Sequence, residues 1–336
     1  AYPSDTMGCG FVRMIDPILA AHAAGNIEGE LPLDVFRKEV RYLRYVLPNV
    51  FDLISQNAQA LFLMRVLDGH NEAQILKNYK KYLPNLKIIY DFDDLLFEMS
   101  QFNPHAKERV ADEEAKTRRI VDCCDTLTVS TDYLKMRLKH WHSNIVVVPN
   151  RLRKSRWANL SALPKSENRK LRIGYSGSVS HVGDVAVIAK VIEKTANAVD
   201  WVFFGYVPEH LRPFLAEYHP FVTVKEYPKA LNAMALDVAV IPLEHHNFNR
   251  AKSNLKVLEF GVLGVPIIAS DFGPYQDERF PIVRVENKID AWITAIENAA
   301  KNRDNLKAQG QALQRAVFDF GFLEDHLDEW QRAWLS

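Results

Sequence analysis

Residues 247–272 read NFNRAKSNLKVLEFGVLGVPIIASDF. Ser253 stands where a helix cap is wanted, and Gly264 with Pro266 marks the helix end, because glycine tolerates a left-handed exit and proline cannot continue the ladder. At 100° per residue, Lys252, Lys256 and Glu259 fall in one arc of about 60°. Leu255, Leu258 and Val262 fill another, so one side packs and the other presents charge. A helix start offers free N–H groups and a partial positive charge, and two lysines beside it suit a phosphate or diphosphate. Glu259 lies about 9 Å along the axis from Ser253, with its side chain leaning back toward the start. A carboxylate there can accept hydrogen bonds from a ribose diol while the cationic end holds phosphates. A solvated face with ordinary Lys–Glu pairing fits the same spacing. After Pro266, PIIAS reads as a short buried strand and residues 271–274 as a turn.

Upstream, LRIGYSG (171–177) is a strong strand. The loop SVSHVG that follows leads into a helix over 184–196, so backbone N–H groups at Gly177 and Ser178 are placed for phosphate. His181 in that loop either reaches a phosphate or is structural or solvent-facing. WVFFG (201–205), VTVKEY (222–227) and DVAVIPL (237–243) read as strands, with helices near 209–218 and 229–236. DVAVIPL runs into EHHNFNRAKS, where Phe248 and Asn249 are candidates to touch a ligand and packing is the other role for Phe248; His245 and His246 lack metal-ligand spacing. Helices follow near 288–302 and 304–318. The last segment, LEDHLDEWQRAWL, is amphipathic, with Trp330 and Trp334 on one face.

The first half opens with TMGCGFVRMIDPILAAHAAG, a tight turn at Gly8 and Gly10 followed by a helix that stops near Gly25. Glycines there let a ligand approach the backbone, and a lone G-x-G is in itself an ordinary tight turn. Residues 33–47 read as helix, 51–55 as strand and 58–82 as helix. A strand over 86–90 puts Asp91, Asp93 and Asp94 at its carboxyl end, where ligands sit in open α/β sheets. The three carboxylates suit a metal site, a catalytic base, an acceptor clamp or a helix cap. A charged helix over 105–122, a strand at 126–130, a helix at 131–141 and a strand at 144–150 complete the half. The basic stretch 151–170 reads as a solvated interdomain linker.

KSNLKVLEFGVLGVPIIAS resembles the donor-binding helix and following strand of GT-B glycosyltransferases, in a family-4-like subgroup with a KSxLKxLE pattern. In that family two glutamates flank this helix. Glu259 matches the second, which binds the donor ribose, whereas position 251, where the first stands, is Ala. The loop after 171–177 resembles the first loop of a GT-B donor domain. The family's Arg and Lys for the diphosphate are replaced there by Ser178 and Val182, so the positive charge is expected from Lys252 and Lys256. The Gly-Cys-Gly…Arg…Pro opening is also similar, which puts Gly8, Gly10 and Arg13 on the acceptor side. Asn150 falls near the hinge.

The resemblance implies an α/β chain of two Rossmann-like doubly wound domains facing a cleft. The divisions are 1–155 for the acceptor domain, 156–170 for the linker, 171–318 for the donor domain and 319–336 for a helix crossing back. It implies a nucleotide-sugar-dependent glycosyltransferase of retaining stereochemistry, acting in surface polysaccharide or glycoconjugate synthesis and needing no metal. Gly177, Ser178, Asn249, Lys252, Ser253, Lys256 and Glu259 would bind the donor, with Tyr227 at the nucleobase. Asp93, Asp94, Lys256 and His181 are the catalytic candidates. A glycan, a lipid-linked or a small-molecule acceptor fits this class. A nucleotide-sugar epimerase, a DNA-base glycosyltransferase and a non-catalytic nucleotide-sugar-binding module are the alternatives.

At 336 residues, two ordinary domains are expected. The formal net charge of zero advertises no nucleic-acid partner. Three cysteines without framework spacing point to a reducing compartment. No apolar run reaches the ~20 residues a membrane span requires, and no signal peptide is visible. A cytoplasmic protein with peripheral membrane association is the expectation. No Gly-x-Ser-x-Gly elbow, HExxH or Walker A run is present.

Overall fold

A computed structural model describes residues 1, 3, 5, 8–29, 31, 58–99, 103, 104, 106, 112–160 and 169–335. The helix expected over 33–47 and the strand over 51–55 lie outside the described residues.

The first half forms a parallel sheet of β1 (Ala60–Met64), β2 (Lys87–Phe92), β3 (Thr126–Val129) and β4 (Ile145–Val147), in that spatial order. A π-helical turn, Phe11–Ile15, continues as α1 (Asp16–Ala23). Parallel neighbours require crossovers. These are α2 (Glu72–Tyr82), α3 (Glu113–Val121) and α4 (Asp132–Leu138), the last capped by the Thr131 hydroxyl, which accepts from Leu134 N at 3.2 Å.

The short helix α5 (Lys154–Trp157) leads to the second sheet, built from β5 (Leu171–Gly177), β6 (Val199–Gly205), β7 (Glu217–His219), β8 (Val238–Ile241), β9 (Ile267–Ser270) and β10 (Val283–Val285). Its spatial order is β10-β9-β8-β5-β6-β7, all parallel. This is the doubly wound arrangement, and the strand order reverses between β5 and β8. In sheets of this kind the carboxyl ends at the switch form the crevice that takes ligands. Helices α6 (Val182–Thr195), α7 (Tyr227–Ala233), α8 (Asn247–Ala251), α9 (Leu255–Val262), α10 (Ile289–Lys301) and α11 (Arg303–Phe320) complete this half. Gly261 of α9 lies so close to α11 that a Cβ there would meet Val317 and Leu313 within 3 Å.

The terminal helix α12 (Leu327–Leu335) lies on the first sheet. Trp330 and Trp334 sit 5.8 and 5.9 Å from the Phe62 ring. Met14, Ile15 and Ile18 share that cluster. Leu152 bridges to Phe322, which ties the stretch between the halves to the chain's last segment.

Several expectations change. The run ALFLM is a buried parallel strand with α2 beginning eight residues later, not one helix over 58–82. Residues 209–214 are a 3-10 turn, the strand is Glu217–His219, and VTVKEY is a turn leading into α7. Gly8 and Gly10 belong to a helical turn rather than a tight loop. The basic stretch at 151–156 is not solvated. Arg151 pairs with Glu329 at 2.8 Å, Arg156 pairs with Asp16, and Arg153 lies between Asp16 and Glu324. No helix among the described residues is long and apolar enough to cross a membrane.

Candidate active site

The sequence that decides the fold also builds the crevice. Helix α8 is separate from α9, and Lys252 and Ser253 form the extended link between them. Ser253 does not cap α9. Asn254 holds that position without a side-chain cap, while Ser253 Oγ accepts from Asn150 Nδ2 at 2.9 Å. Lys252 therefore stands just ahead of the helix, and the first turn of α9 leaves N–H groups with no intrahelical acceptor.

Lys256 and Glu259 lie on α9 as their spacing requires. Lys256 Nζ donates to Ser176 O and lies 5.6 Å from the centre of the Tyr175 ring. Burial lowers its pKa below the usual lysine value, and Lys252 adds to the effect. Burial pushes the Glu259 carboxyl up to about 7 against the pull of Lys256. Tyr227 donates its hydroxyl to Glu259 Oε2 at 3.0 Å and shares a 2.9 Å bond with Ser176 Oγ. Its ring packs on Trp157 and Phe204. Tyr227 thus reaches the site through its hydroxyl, with its ring in aromatic packing rather than laid open to a base.

Gly177 ends β5 beside Gly205, and a Cβ on Gly205, at φ +88°, would meet Gly177 O at 2.4 Å. Ser178 Oγ and Ser180 Oγ are 2.6 Å apart in the following turn. His181 Nδ1 lies 2.7 Å from Asp184 Oδ2. Burial and then Lys256 and Lys252 push the imidazole down to about 4, so it is neutral near pH 7. Asp184, 3% exposed, also accepts from Asn249 Nδ2 and from Glu244 N, each at 2.8 Å. Asn249 is thereby locked in place and buried.

The first half supplies the opposite wall. Lys252 Nζ lies 3.9 Å from Asp94 Oδ1. Burial would push Asp93 up, but its bidentate pair with Arg65, at 3.2 and 2.5 Å, holds it below the ordinary aspartate value. Burial raises Asp94, with Lys252 opposing and Asp93 adding. Of the two, Asp94 is the carboxylate free to take a proton. Cys9, Asp93 and Asp94 place ligand atoms within 4.8 Å of one another. Arg65 and Lys252 set two cations against that cluster.

Helix α8 joins the walls. Ala251 is fully buried in the core of the first sheet domain, and its carbonyl accepts from Thr131 Oγ1 at 3.0 Å. Asn247 donates to Glu98 at 2.9 Å, and Glu98 also pairs with Arg137. Phe248, the expected packing residue, is buried with Lys252 Nζ 4.5 Å from its ring centre.

Arg13 does not face the crevice. It is fully buried over Trp330, donates to Asp91 at 3.0 and 2.6 Å and to Asn150 Oδ1 at 3.0 Å, and donates to Val148 O. Every arm of the guanidinium is engaged, so it organises the first domain instead of meeting an acceptor. Gly10 is pinned by its N–H on Asp5 Oδ1 at 3.1 Å, whereas a Cβ on Gly8 would meet nothing within 4 Å. Sequence reasoning missed Asp184, Arg65 and Glu98. Only Asp184 carried a local signal, an acid in the first turn after a glycine-containing loop.

Two parallel-sheet domains meeting at a switch-point crevice define the GT-B fold of glycosyltransferases. Among solved structures, TarM of S. aureus matches with a TM-score of 0.63 and 15% identity, over 90% of this chain and 60% of that one. An E. coli trehalose-6-phosphate structure bound with UDP-2-fluoro glucose matches at 0.57 and 11%, over 84% and 73%. Anabaena HepE in complex with UDP and glucose matches at 0.55 and 7%, over 82% and 77%. The chain thus spans about 60% of the TarM length. No protein-family model and no curated protein matches this sequence.

Proposed function

We propose that the chain is a nucleotide-sugar-dependent glycosyltransferase. The observation that carries this reading is the convergence of Lys252, Lys256 and the open start of α9 at the β5/β8 switch, facing Asp94 across the crevice. The cations and the N–H groups of the loop after Gly177 take the diphosphate. Charge grows on that leaving group as the anomeric C–O bond breaks, and preorganised cations stabilise it more than the ground state. Glu259 accepts from the ribose diol, and Tyr227 orients Glu259. Asp94 meets the acceptor hydroxyl. A retaining course leaves it to orient the hydroxyl; an inverting course uses it as the base. The solved neighbours bound with UDP, UDP-sugar or glucose support a UDP-linked donor and a sugar or glycan acceptor. We place the reaction in surface polysaccharide or glycoconjugate synthesis, as a retaining transfer without a metal.

A donor panel scored for released UDP, GDP, ADP or CMP tests the reading. Acceptor-dependent release of one nucleotide is expected, with retained anomeric configuration by NMR. Donor conversion without nucleotide release would point to an epimerase. Binding without turnover on any acceptor would point to a non-catalytic module, which the burial of Ala251 at the first-glutamate position favours.

A further inference from the structure

The loop after β5, Ser178 to Gly183, carries no permanent cation, although it borders the site where the diphosphate would lie. It does carry His181, held from behind. Asp184 accepts from Glu244 N, Asn249 Nδ2 and His181 Nδ1, so the imidazole hydrogen sits on Nδ1 and Nε2 keeps the lone pair. No hydrogen bond to Nε2 from the described residues accompanies this one.

The charged groups around the ring are Lys256 and Lys252, which disfavour a proton, and Asp184, which favours one. Glu244 is the next carboxylate, its Oε2 2.3 Å from where a Cβ on Gly183 would stand. A third cation beside two lysines would be repelled and would lose hydration unless an anion compensates. A diphosphate laid against the lysines reverses that balance, because its negative charge screens both and attracts a proton directly.

We propose that His181 is a cation loaded on demand: when a nucleoside diphosphate lies against Lys252 and Lys256, Nε2 takes up one proton from solvent, keeps it and hydrogen-bonds through it to a phosphate oxygen, while Asp184 holds the imidazolium through Nδ1. This rests on the donor-site reading above. It supplies the loop charge that Ser178 and Val182 lack, and only in the state that needs it.

Calorimetry tests the idea. UDP, GDP and ADP are titrated into wild-type protein. The tightest is then repeated between pH 6 and 8 in buffers of different ionisation heat, with wild type and His181→Asn. Asparagine keeps a donor for Asp184 but cannot take a proton. The terminal phosphate of the nucleotide and Glu259 also titrate in this range, so the wild-type minus variant difference isolates His181. Wild type should take up more protons than the variant. Its affinity should gain by up to about tenfold per pH unit more as pH falls, the linkage limit for one proton. Nitrogen NMR of the imidazole should show its pKa rising on ligand binding. Equal proton counts with unmoved ring resonances would overturn the proposal and leave the donor site standing. Failure of all three nucleotides to bind wild type would overturn both.

Discussion

Lys256 and Glu259 share one helix face but are asked for different chemistry. Lys256 Nζ is half-buried against Ser176 O and the Tyr175 ring, a position set by the fold. Lys256→Ala should lower kcat about 10²–10³-fold with the fold intact, as removal of one preorganised charge-stabilising group does. Steady-state kinetics alongside a thermal melt would check this. Glu259 gives a pH signature. Its carboxyl is raised to about 7 by burial, so it is half-protonated near neutrality. A ribose diol needs the carboxylate as acceptor, so the Glu259 contribution to donor binding should strengthen as pH rises through 7 and vanish in Glu259→Gln. The same shift acts on stability with the opposite sense. The folded state holds a proton that the unfolded chain releases near 4.5, so stability falls as pH rises from there through about 7. Glu259→Gln should therefore melt higher than wild type at pH 8, a difference that shrinks toward pH 4.

The element that positions these residues is α9, and its placement depends on glycine at two contacts. Gly264, at φ +67°, takes the left-handed exit that the sequence pattern announced. Gly310 of α11 approaches it so closely that a Cβ would meet Gly264 O at 2.0 Å. Gly310→Ala must push α11 off α9, and overpacking of this kind costs about 1–3 kcal/mol. Chemical denaturation should show that loss, with donor KM raised because Glu259 shifts with its helix. Legibility varied at this scale for physical reasons. β5, β8 and β9 were visible because glycine or proline bounds short apolar runs. β1 was read as helix because a strand buried on both faces has no period-2 alternation to separate it from a helix core. VTVKEY misled in the opposite way, since it alternates, yet Val222 is 37% exposed and no neighbouring strand pairs with it among the described residues. Ser253 looked like a cap, but its partner, Asn150, is 103 residues away.

The two halves are held together by long-range contacts that local pattern does not encode. Arg13 pairs with Asp91 across 78 residues, and Asn150 links that network to Ser253. Arg13 read as an acceptor contact from the resemblance of its Gly-Cys-Gly…Arg…Pro stretch, and nothing local in that stretch announces a partner 78 residues away. The terminal helix closes the assembly, with Trp330 edge-on to Phe62, tilted against Trp334 and covered by the Arg13 guanidinium. Trp330→Ala should cost about 3–5 kcal/mol, as deletion of a buried indole does. Because Arg13 would lose its cover, the loss should be seen by denaturation of the whole chain.

Lys252 and Lys256 are the proposed grip on a departing diphosphate, and equilibrium binding of UDP, GDP and ADP to wild type and to the Lys252→Ala/Lys256→Ala double variant tests that role most directly. Hydrogen bonds to charged groups are worth about 1.5–3 kcal/mol each, so the nucleotide that binds wild type should bind the folded double variant at least about 100-fold more weakly. Undiminished binding to a folded double variant would contradict the account.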